Sequence, residues 1–450
     1  MEKDLLIIGA GPGGYETALS AAERGMSVTL INGGKLGGTC LNAGCIPTKC
    51  MVKDAAVGSA GRSCECGIAD ANLTIDFNKV ISRRDAVVSQ LREGIAGLLA
   101  KAKVEVVEGM ARFKDDHTVI VFDHEYSAEN IIIATGSQSK SVNAEGADAP
   151  FVMDSTAILQ LEYIPESLVI VGGGVIGLEF ASVFNAFGSE VTVVEFMKNI
   201  APTFDSDISK RLKQALAKKG VKIITGAAVK KIEQTDDYRV RTTYDLKGKE
   251  ETVESTDILM AVGRKPNVEG LDLEKAGVEY SVRGIPVNED MRTNVDHIYA
   301  IGDVNARLML AHVASFQGQR ALNAIQGLTD EINFDVVPAA LFTDPECAMA
   351  GMTEEQCKAE GVAIKIGKSF YRANGKALAG GESEGLCKLI FDAESDRLIG
   401  AHIMGAEAAL LAQQCCDFIT LGVTRKRISE IIFGHPTLSE VILSAVNSVK

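Results

Sequence analysis

The sequence lacks any excess of positive charge: 46 lysines and arginines face 60 aspartates and glutamates, for a formal net charge of -14. Such a chain is repelled on average by nucleic acid and by anionic membrane surfaces, so neither is expected as a partner. No uninterrupted apolar run comes near the ~20 residues that cross a bilayer, which argues against an integral membrane protein. Residues 1–4 lead straight into the apolar run 5–8 and a glycine cluster. That leaves no room for a charged and apolar leader, and a cytoplasmic protein is expected. Proline- or serine-rich linkers and low-complexity tracts are missing, so the domains should pack closely without a tether. Ten cysteines are present, but Cys50, Cys64, Cys66, Cys347, Cys357, Cys387, Cys415 and Cys416 show no scaffold-like spacing. A reducing compartment fits them, and they read as small buried hydrophobes. Cys64 and Cys66, without a nearby histidine or further cysteine, make a poor metal site, and no metal centre is expected.

What is present is a chain of 450 residues, 46% hydrophobic and 24% charged, enough for two to four domains. Residues 5–8 form an apolar run of the kind a buried parallel strand shows. Gly9, Gly11 and Gly14 follow, then a helical stretch at 15–24 and a second strand at 28–31. The same βαβ order recurs at 168–171, Gly172, Gly174 and Gly177, a helix at 178–187, and a strand at 191–195. Glycines of this kind let a pyrophosphate approach the backbone at a helix N-terminus, and two copies in βαβ context imply two dinucleotide sites. Glu195 stands 23 residues after Gly172, where a carboxylate can accept from the ribose 2′-hydroxyl of NAD and repel the 2′-phosphate of NADP. At the matching distance from Gly9 stands Asn32 instead, a neutral acceptor, so an Asn32→Glu variant is expected to hold its dinucleotide more firmly. A helix is expected at 85–102, and strands at 104–107 and 130–134. After Gly263 the composition turns toward loops until a strand ends at Gly302 and Asp303. From residue 336 onward, strands at 365–370, 387–391 and 398–404 precede a helix near 406–421, an α+β pattern. The fold class expected is therefore α/β, with two Rossmann-like domains and a C-terminal α+β domain. The divisions fall at 1–147 and 264–335 for the first nucleotide-binding domain, 148–263 for the second, and 336–450 for the last.

The run from Gly37 to Lys49 carries Cys40 and Cys45. In a regular helix residues five apart sit roughly 8 to 9 Å apart by Cα, whereas a disulfide needs about 7 Å or less. The pair can close only where the backbone leaves helical geometry, and Gly37, Gly38, Gly44 and Pro47 allow that departure. A bond held in such a loop is more reducible than a structural one. Thiolate chemistry needs a base, and His435 with Glu440 five residues on is the candidate.

These residues together resemble the pyridine nucleotide disulfide oxidoreductase family over essentially the whole chain. The likeness runs through Gly9 to Gly14, Cys40 to Lys49, Ala134 Thr135 Gly136, Gly172 to Glu179, Thr293 to Asp303, and His435 to Glu440. The lipoamide branch is the most similar, with Tyr299 to Asp303 and Leu308 to His312 following it. The resemblance implies FAD on the first glycine turn, with Thr135, Gly136, Gly263, Gly302, Asp303 and Ala311 also at the cofactors, and NAD on the second turn. It implies that Cys40 is the interchange thiol, Cys45 the charge-transfer thiolate against the flavin, and Lys49 and Glu179 a pair beside the ring. It further implies a homodimer through the C-terminal domain, in which His435 and Glu440 of one subunit serve the cysteines of the other. The reaction implied is oxidation of a protein-bound dihydrolipoyl group with reduction of NAD. The partner would be a lipoyl-carrying protein, either a 2-oxoacid dehydrogenase acyltransferase or a glycine cleavage carrier protein. The sequence departs from the branch at Asn32 and at Phe433 Gly434. Rival readings are another disulfide or metal-ion reductase of the family and a noncatalytic redox-sensing flavoprotein. Glu195 without adjacent arginines disfavours an NADP-linked enzyme, and a scaffold would need none of Cys40, Cys45 and His435.

Overall fold

The structure, a computed structural model, describes residues 3–63 and 74–449. Cys64 and Cys66, weighed above as metal ligands, lie outside the described residues. The first sheet is parallel in the order Glu105–Glu108, Val28–Asn32, Lys3–Ile8, His124–Ile133, with Ile298–Ala300 returning from far along the chain to pair beside Ile131 to Ile133. The N-terminal part of His124–Ile133 continues into an antiparallel pair with Thr118–Val121 and then Ala111–Phe113. Side chains alternate across such a sheet. Leu5 and Ile7 accordingly face helices, packing with Ala18, Ala21, Leu99 and Leu322. Leu6 and Ile8 face the other way, onto Phe113, Val119 and Leu273.

The second sheet repeats this plan in the order Lys222–Thr225, Glu190–Glu195, Ser167–Val171, Asp257–Met260, Val152–Met153, all parallel. All five residues of Ser167–Val171 are buried, as the continuous apolar run requires of a strand covered on both faces. Leu168 and Ile170 meet Leu178, Phe184 and Leu212 of the covering helices. Val169 and Val171 meet Ile232, Val240 and Tyr244 of an antiparallel sheet of three strands, Ala227–Gln234, Val240–Leu246 and Lys249–Ser255. The last domain is an antiparallel sheet in the order Ala339–Leu341, Cys347–Gly351, Leu398–Met404, Leu386–Asp392, Ile364–Phe370, covered by the helices Ala408–Thr420 and Glu440–Asn447. Among the described residues no helix is long and apolar enough to cross a membrane.

The domains share one core. Met51 and Ala55 near the cysteine run, Phe180 and Phe184 of the second nucleotide unit, and Leu341, Leu386 and Met404 of the last domain pack in a single buried cluster. A buried charge cluster joins the latter two. Asp205 caps the helix Ser206–Lys218 and, fully buried, accepts from the fully buried Lys388 Nζ at 2.9 and 3.0 Å, while Asp207 and Glu354 lie 3.1 and 2.6 Å from the same ammonium. Burial alone would lower the Lys388 pKa, but the carboxylates outweigh it and raise it. Removing one partner of such a pair strands the others. Lys388→Met is therefore expected to destabilise the protein by about 3–5 kcal/mol in chemical denaturation. A loss below about 1 kcal/mol, the size of a surface pair, would show that the cluster is not a desolvated clamp.

Candidate active site

The cysteine run folds as two helices, Gly38–Ala43 and Cys45–Ser63, separated at Gly44 (φ -154°, ψ -110°). A Cβ at Gly44 would stand 3.0 Å from the Thr39 carbonyl oxygen. The chain folds back there, and the thiols of Cys40 and Cys45 hydrogen-bond to each other. The backbone thus leaves helical geometry between the two cysteines, as their spacing demands. The first short helix is fixed from outside. Leu41 is buried in the core, Asn42 Nδ2 donates to the Leu36 and Gly38 carbonyls at 2.9 Å, and Arg92 of the long helix Phe77–Lys101 donates to Asn42 Oδ1 at 3.0 Å.

Four residues beyond Cys45 on the same helical face stands Lys49. Its ammonium lies 2.9 Å from both carboxylate oxygens of Glu179, in the helix Val175–Phe187. Glu179 is buried and also accepts from the Phe342 backbone N–H at 3.0 Å, and Lys49 stands 4.6 Å from the centre of the Phe342 ring. The thiols are unequal. The hydrogen bond from Cys40 and the Lys49 charge bring Cys45 down to about 7, against burial and Glu179, whereas that same hydrogen bond and then burial push Cys40 far up. The first thiolate of the reduced pair is therefore favoured at Cys45, nearer the Lys49 ammonium, with the Cys40 thiol hydrogen-bonded to it. Tyr15 lies beside this pair. Its hydroxyl donates to Glu16 at 3.0 Å, and burial first, then the charge of Glu16, keep the phenol neutral. By contrast Cys347, Cys387 and Cys415 are deeply buried, and burial raises their pKa values.

Both glycine turns are shaped for a pyrophosphate. Gly14 and Gly177 press against the Gly9 and Gly172 carbonyl oxygens so closely that a Cβ would collide. The helices Pro12–Glu23 and Val175–Phe187 begin at Gly11 and Gly174 with no side-chain cap, so their first N–H groups are open to an anion. Glu195 is buried and accepts from the backbone N–H groups of Gly173 and Met197. Around the first turn, the Thr135 hydroxyl donates to the Asn267 carbonyl at 2.8 Å, and Gly136 and Gly263 take up left-handed backbone beside the antiparallel pair Ser137–Ser139 and Arg264–Pro266. Asp303 accepts from the Ser137 hydroxyl, and Arg264 lies 3.9 Å away. The Gly302 N–H donates to buried Gln317 at 2.7 Å, and Ala311 opens the helix Ala311–Ile325 that carries Gln317. Ser137, Arg264, Gln317, Phe342 and Arg92 were not anticipated from the sequence, because only tertiary contact brings them to the site.

His435 and Glu440 stand apart from the cysteines. His435 Nδ1 donates to Glu440 Oε1 at 2.9 Å, and Glu440 Oε2 accepts from the Thr437 N–H at 2.9 Å. That backbone N–H first, and then His435, lower the Glu440 pKa. The His435 side chain is 78% exposed, so its free Nε2 points outward from this chain. A third group, Asp116, His117 and His297, brings ligand-type atoms within 4.8 Å of one another. The two imidazoles stack in parallel at 3.8 Å, and each has a nitrogen on a backbone carbonyl. Lone pairs in parallel planes do not converge on one ion, so the arrangement is not a preformed metal site.

Comparison with known proteins agrees with this architecture. Residues 3–318 match the pyridine nucleotide-disulphide oxidoreductase family and residues 337–446 its dimerisation domain. The chain belongs to this family of FAD- and NAD-dependent oxidoreductases, and the second match supports a homodimer. It is 40% identical over 451 residues to a dihydrolipoyl dehydrogenase of Staphylococcus aureus, covering 99% of this chain and 96% of the relative. A dihydrolipoyl dehydrogenase of Bacillus subtilis is 41% identical over 453 residues, with the same coverage. Among solved structures, the HOCl-induced flavoprotein disulfide reductase RclA of Escherichia coli, in its Cu(II) complex, superposes with a TM-score of 0.90 at 30% identity, covering all of both chains.

The electrostatics of the thiol pair give a test with two signs. In the reduced protein, Lys49→Met should move the Cys45 titration above about 7, because a lowering charge is lost. Glu179→Gln should move it down, because a raising charge is lost. Ultraviolet thiolate absorbance against pH reads both, and an unchanged titration in Lys49→Met would contradict the assignment.

Proposed function

We propose that the protein is a dihydrolipoyl dehydrogenase acting in the cytoplasm as a homodimer on a lipoyl group carried by a 2-oxoacid dehydrogenase acyltransferase or a glycine cleavage carrier protein. The observation that carries this reading is the pair Cys40 and Cys45, brought together across Gly44 beside the Lys49 and Glu179 ion pair, near a glycine turn whose helix start is open to a dinucleotide. Full-length likeness to dihydrolipoyl dehydrogenases supports the choice of substrate.

In the oxidised protein Cys40 and Cys45 form a disulfide. A thiolate of the dihydrolipoyl group attacks the Cys40 sulfur, a mixed disulfide forms, and Cys45 leaves as the thiolate that Lys49 stabilises. The second substrate thiol then attacks the substrate sulfur bound to Cys40, closing the lipoyl disulfide and releasing Cys40. Of the two substrate protons one ends on Cys40 as it is released, and a base must take each in turn and keep the other. His435 of the partner subunit suits that role, since Glu440 fixes its Nδ1–H and leaves Nε2 free on an exposed surface. The chemistry that bound FAD would supply is carriage of an electron pair between the cysteines and NAD. Gly9, Gly11, Gly14, Asn32, Thr135, Gly136, Gly302, Asp303 and Ala311 would hold FAD, and Gly172, Gly174, Gly177, Glu195 and Gly263 would hold NAD, with Lys49 and Glu179 beside the ring. The domain divisions near 147, 263 and 335 belong to the same reading. They are supported by the return of Ile298–Ala300 to the first sheet.

NADH formation from dihydrolipoamide and NAD tests the proposal. The protein should turn over, Cys45→Ser should abolish the reaction, and His435→Gln should slow it by about 10²–10⁴-fold while FAD remains bound. Absence of dihydrolipoamide turnover together with NADH-driven reduction of another disulfide or a metal ion would replace this reading with the rival reductase. Normal turnover in Cys45→Ser would remove it altogether.

A further inference from the structure

The first nucleotide unit ends its second strand in Asn32, where the second unit ends in Glu195. The structure shows what surrounds that exchange. Val28–Asn32 and Glu105–Glu108 run parallel in register, Thr29 opposite Glu105 and Asn32 opposite Glu108. Asn32 is buried, and its amide is fully engaged: Nδ2 donates to the Gly34 carbonyl and to Glu108 Oε2, each at 2.9 Å, while Oδ1 accepts from the Gly34 N–H at 3.3 Å. Glu108 is exposed, and among the described residues no lysine or arginine pairs with it. Among the described residues its Oε1 has no hydrogen-bond partner. In the second unit, Glu195 itself accepts the N–H of Met197 in the loop that follows it, and that of Gly173 in the glycine turn. In the first unit the amide takes over that inward contact and the negative charge moves outward to the neighbouring strand.

We propose that Glu108, oriented by Asn32, is the carboxylate that accepts the adenosine ribose hydroxyls of FAD in this chain. The inference rests on the reading above that the first glycine turn holds FAD. Ligands of parallel α/β sheets bind at the carboxyl ends of the strands, and Glu108 ends its strand level with Asn32, whose own strand adjoins the one that leads into the glycine turn. Asn32 is a positioning residue here, since both of its amide hydrogens are already spent on Gly34 and Glu108. The expectation drawn from spacing alone is thereby reversed. A glutamate at position 32 would place a second carboxylate against Glu108, and like charges at that distance repel.

FAD rebinding to the apoprotein, followed by flavin fluorescence, tests this directly. Glu108→Gln should raise the FAD dissociation constant roughly tenfold or more, as loss of a charge-assisted hydrogen bond does, while NADH binding stays unchanged. Asn32→Glu should also weaken FAD binding, and the exchange variant Asn32→Glu with Glu108→Asn should recover most of the loss, which separates repulsion from misfolding. Wild-type FAD affinity in Glu108→Gln, or tighter binding in Asn32→Glu, would overturn the proposal. A wild-type apoprotein that binds no FAD would overturn instead the reading on which it rests.

Discussion

The Lys49 and Glu179 ion pair is the contact on which the site depends, because it is where three parts of the chain meet through polar groups beside the cysteines. Lys49 comes from the helix that carries Cys45, Glu179 from the helix of the second glycine unit, and the Phe342 N–H from the approach to the last domain. A buried carboxylate left without partners is costly, so this contact favours the arrangement in which the helix of Cys45 and the helix of the second glycine unit meet at Glu179. The apolar cluster from Met51 through Phe184 to Met404 provides the mass of the packing, but apolar contact is not directional. The ion pair adds a directional contact to it.

The same pair sets the chemistry. Cys45 stands between an ammonium four residues away and a thiol that donates to it, and both favour its thiolate. Glu179 and burial act in the opposite sense, and the balance lies near neutrality instead of deep in the acid range. A leaving thiolate with such a pKa departs readily, yet it remains nucleophilic enough to pass electrons onward. Cys40, held protonated by the same hydrogen bond, is the complementary half. The asymmetry arises from position: Lys49 follows Cys45 by one helical turn, and Gly44 breaks the chain so that Cys40 cannot share that face.

The parts legible in the sequence were those whose signal is local. Both βαβ units were found to within a few residues, since apolar runs and glycine turns lie together in the chain. The long helix expected from residue 85 begins at Phe77, because Asp76 caps it by accepting the Lys79 N–H. The antiparallel sheet of Ala227–Gln234 and its neighbours was not foreseen, as charged residues interrupt the apolar pattern of its strands and parts of them are exposed. At the site, the spacing of Cys40, Cys45 and Lys49 was readable, and so was the glycine that must separate the cysteines. Glu108, Phe342 and Arg92 were not, because strand register and tertiary packing bring them into place, and neither is written in a local pattern. Asn32 looked like a defect when read alone and acquires a partner only once the sheet order is known.

The central claim is that Cys40 and Cys45 act as one reversible pair while the buried cysteines stand by unchanged. Differential alkylation with mass spectrometry of the air-oxidised protein, before and after one equivalent of dihydrolipoamide without NAD, tests it most directly. The account predicts that Cys40 and Cys45 are protected together as a disulfide beforehand and alkylated together afterwards, with Cys347, Cys387 and Cys415 unlabelled in the folded protein throughout. Alkylation of both before the dithiol is added, or a dithiol that leaves them protected, would contradict it.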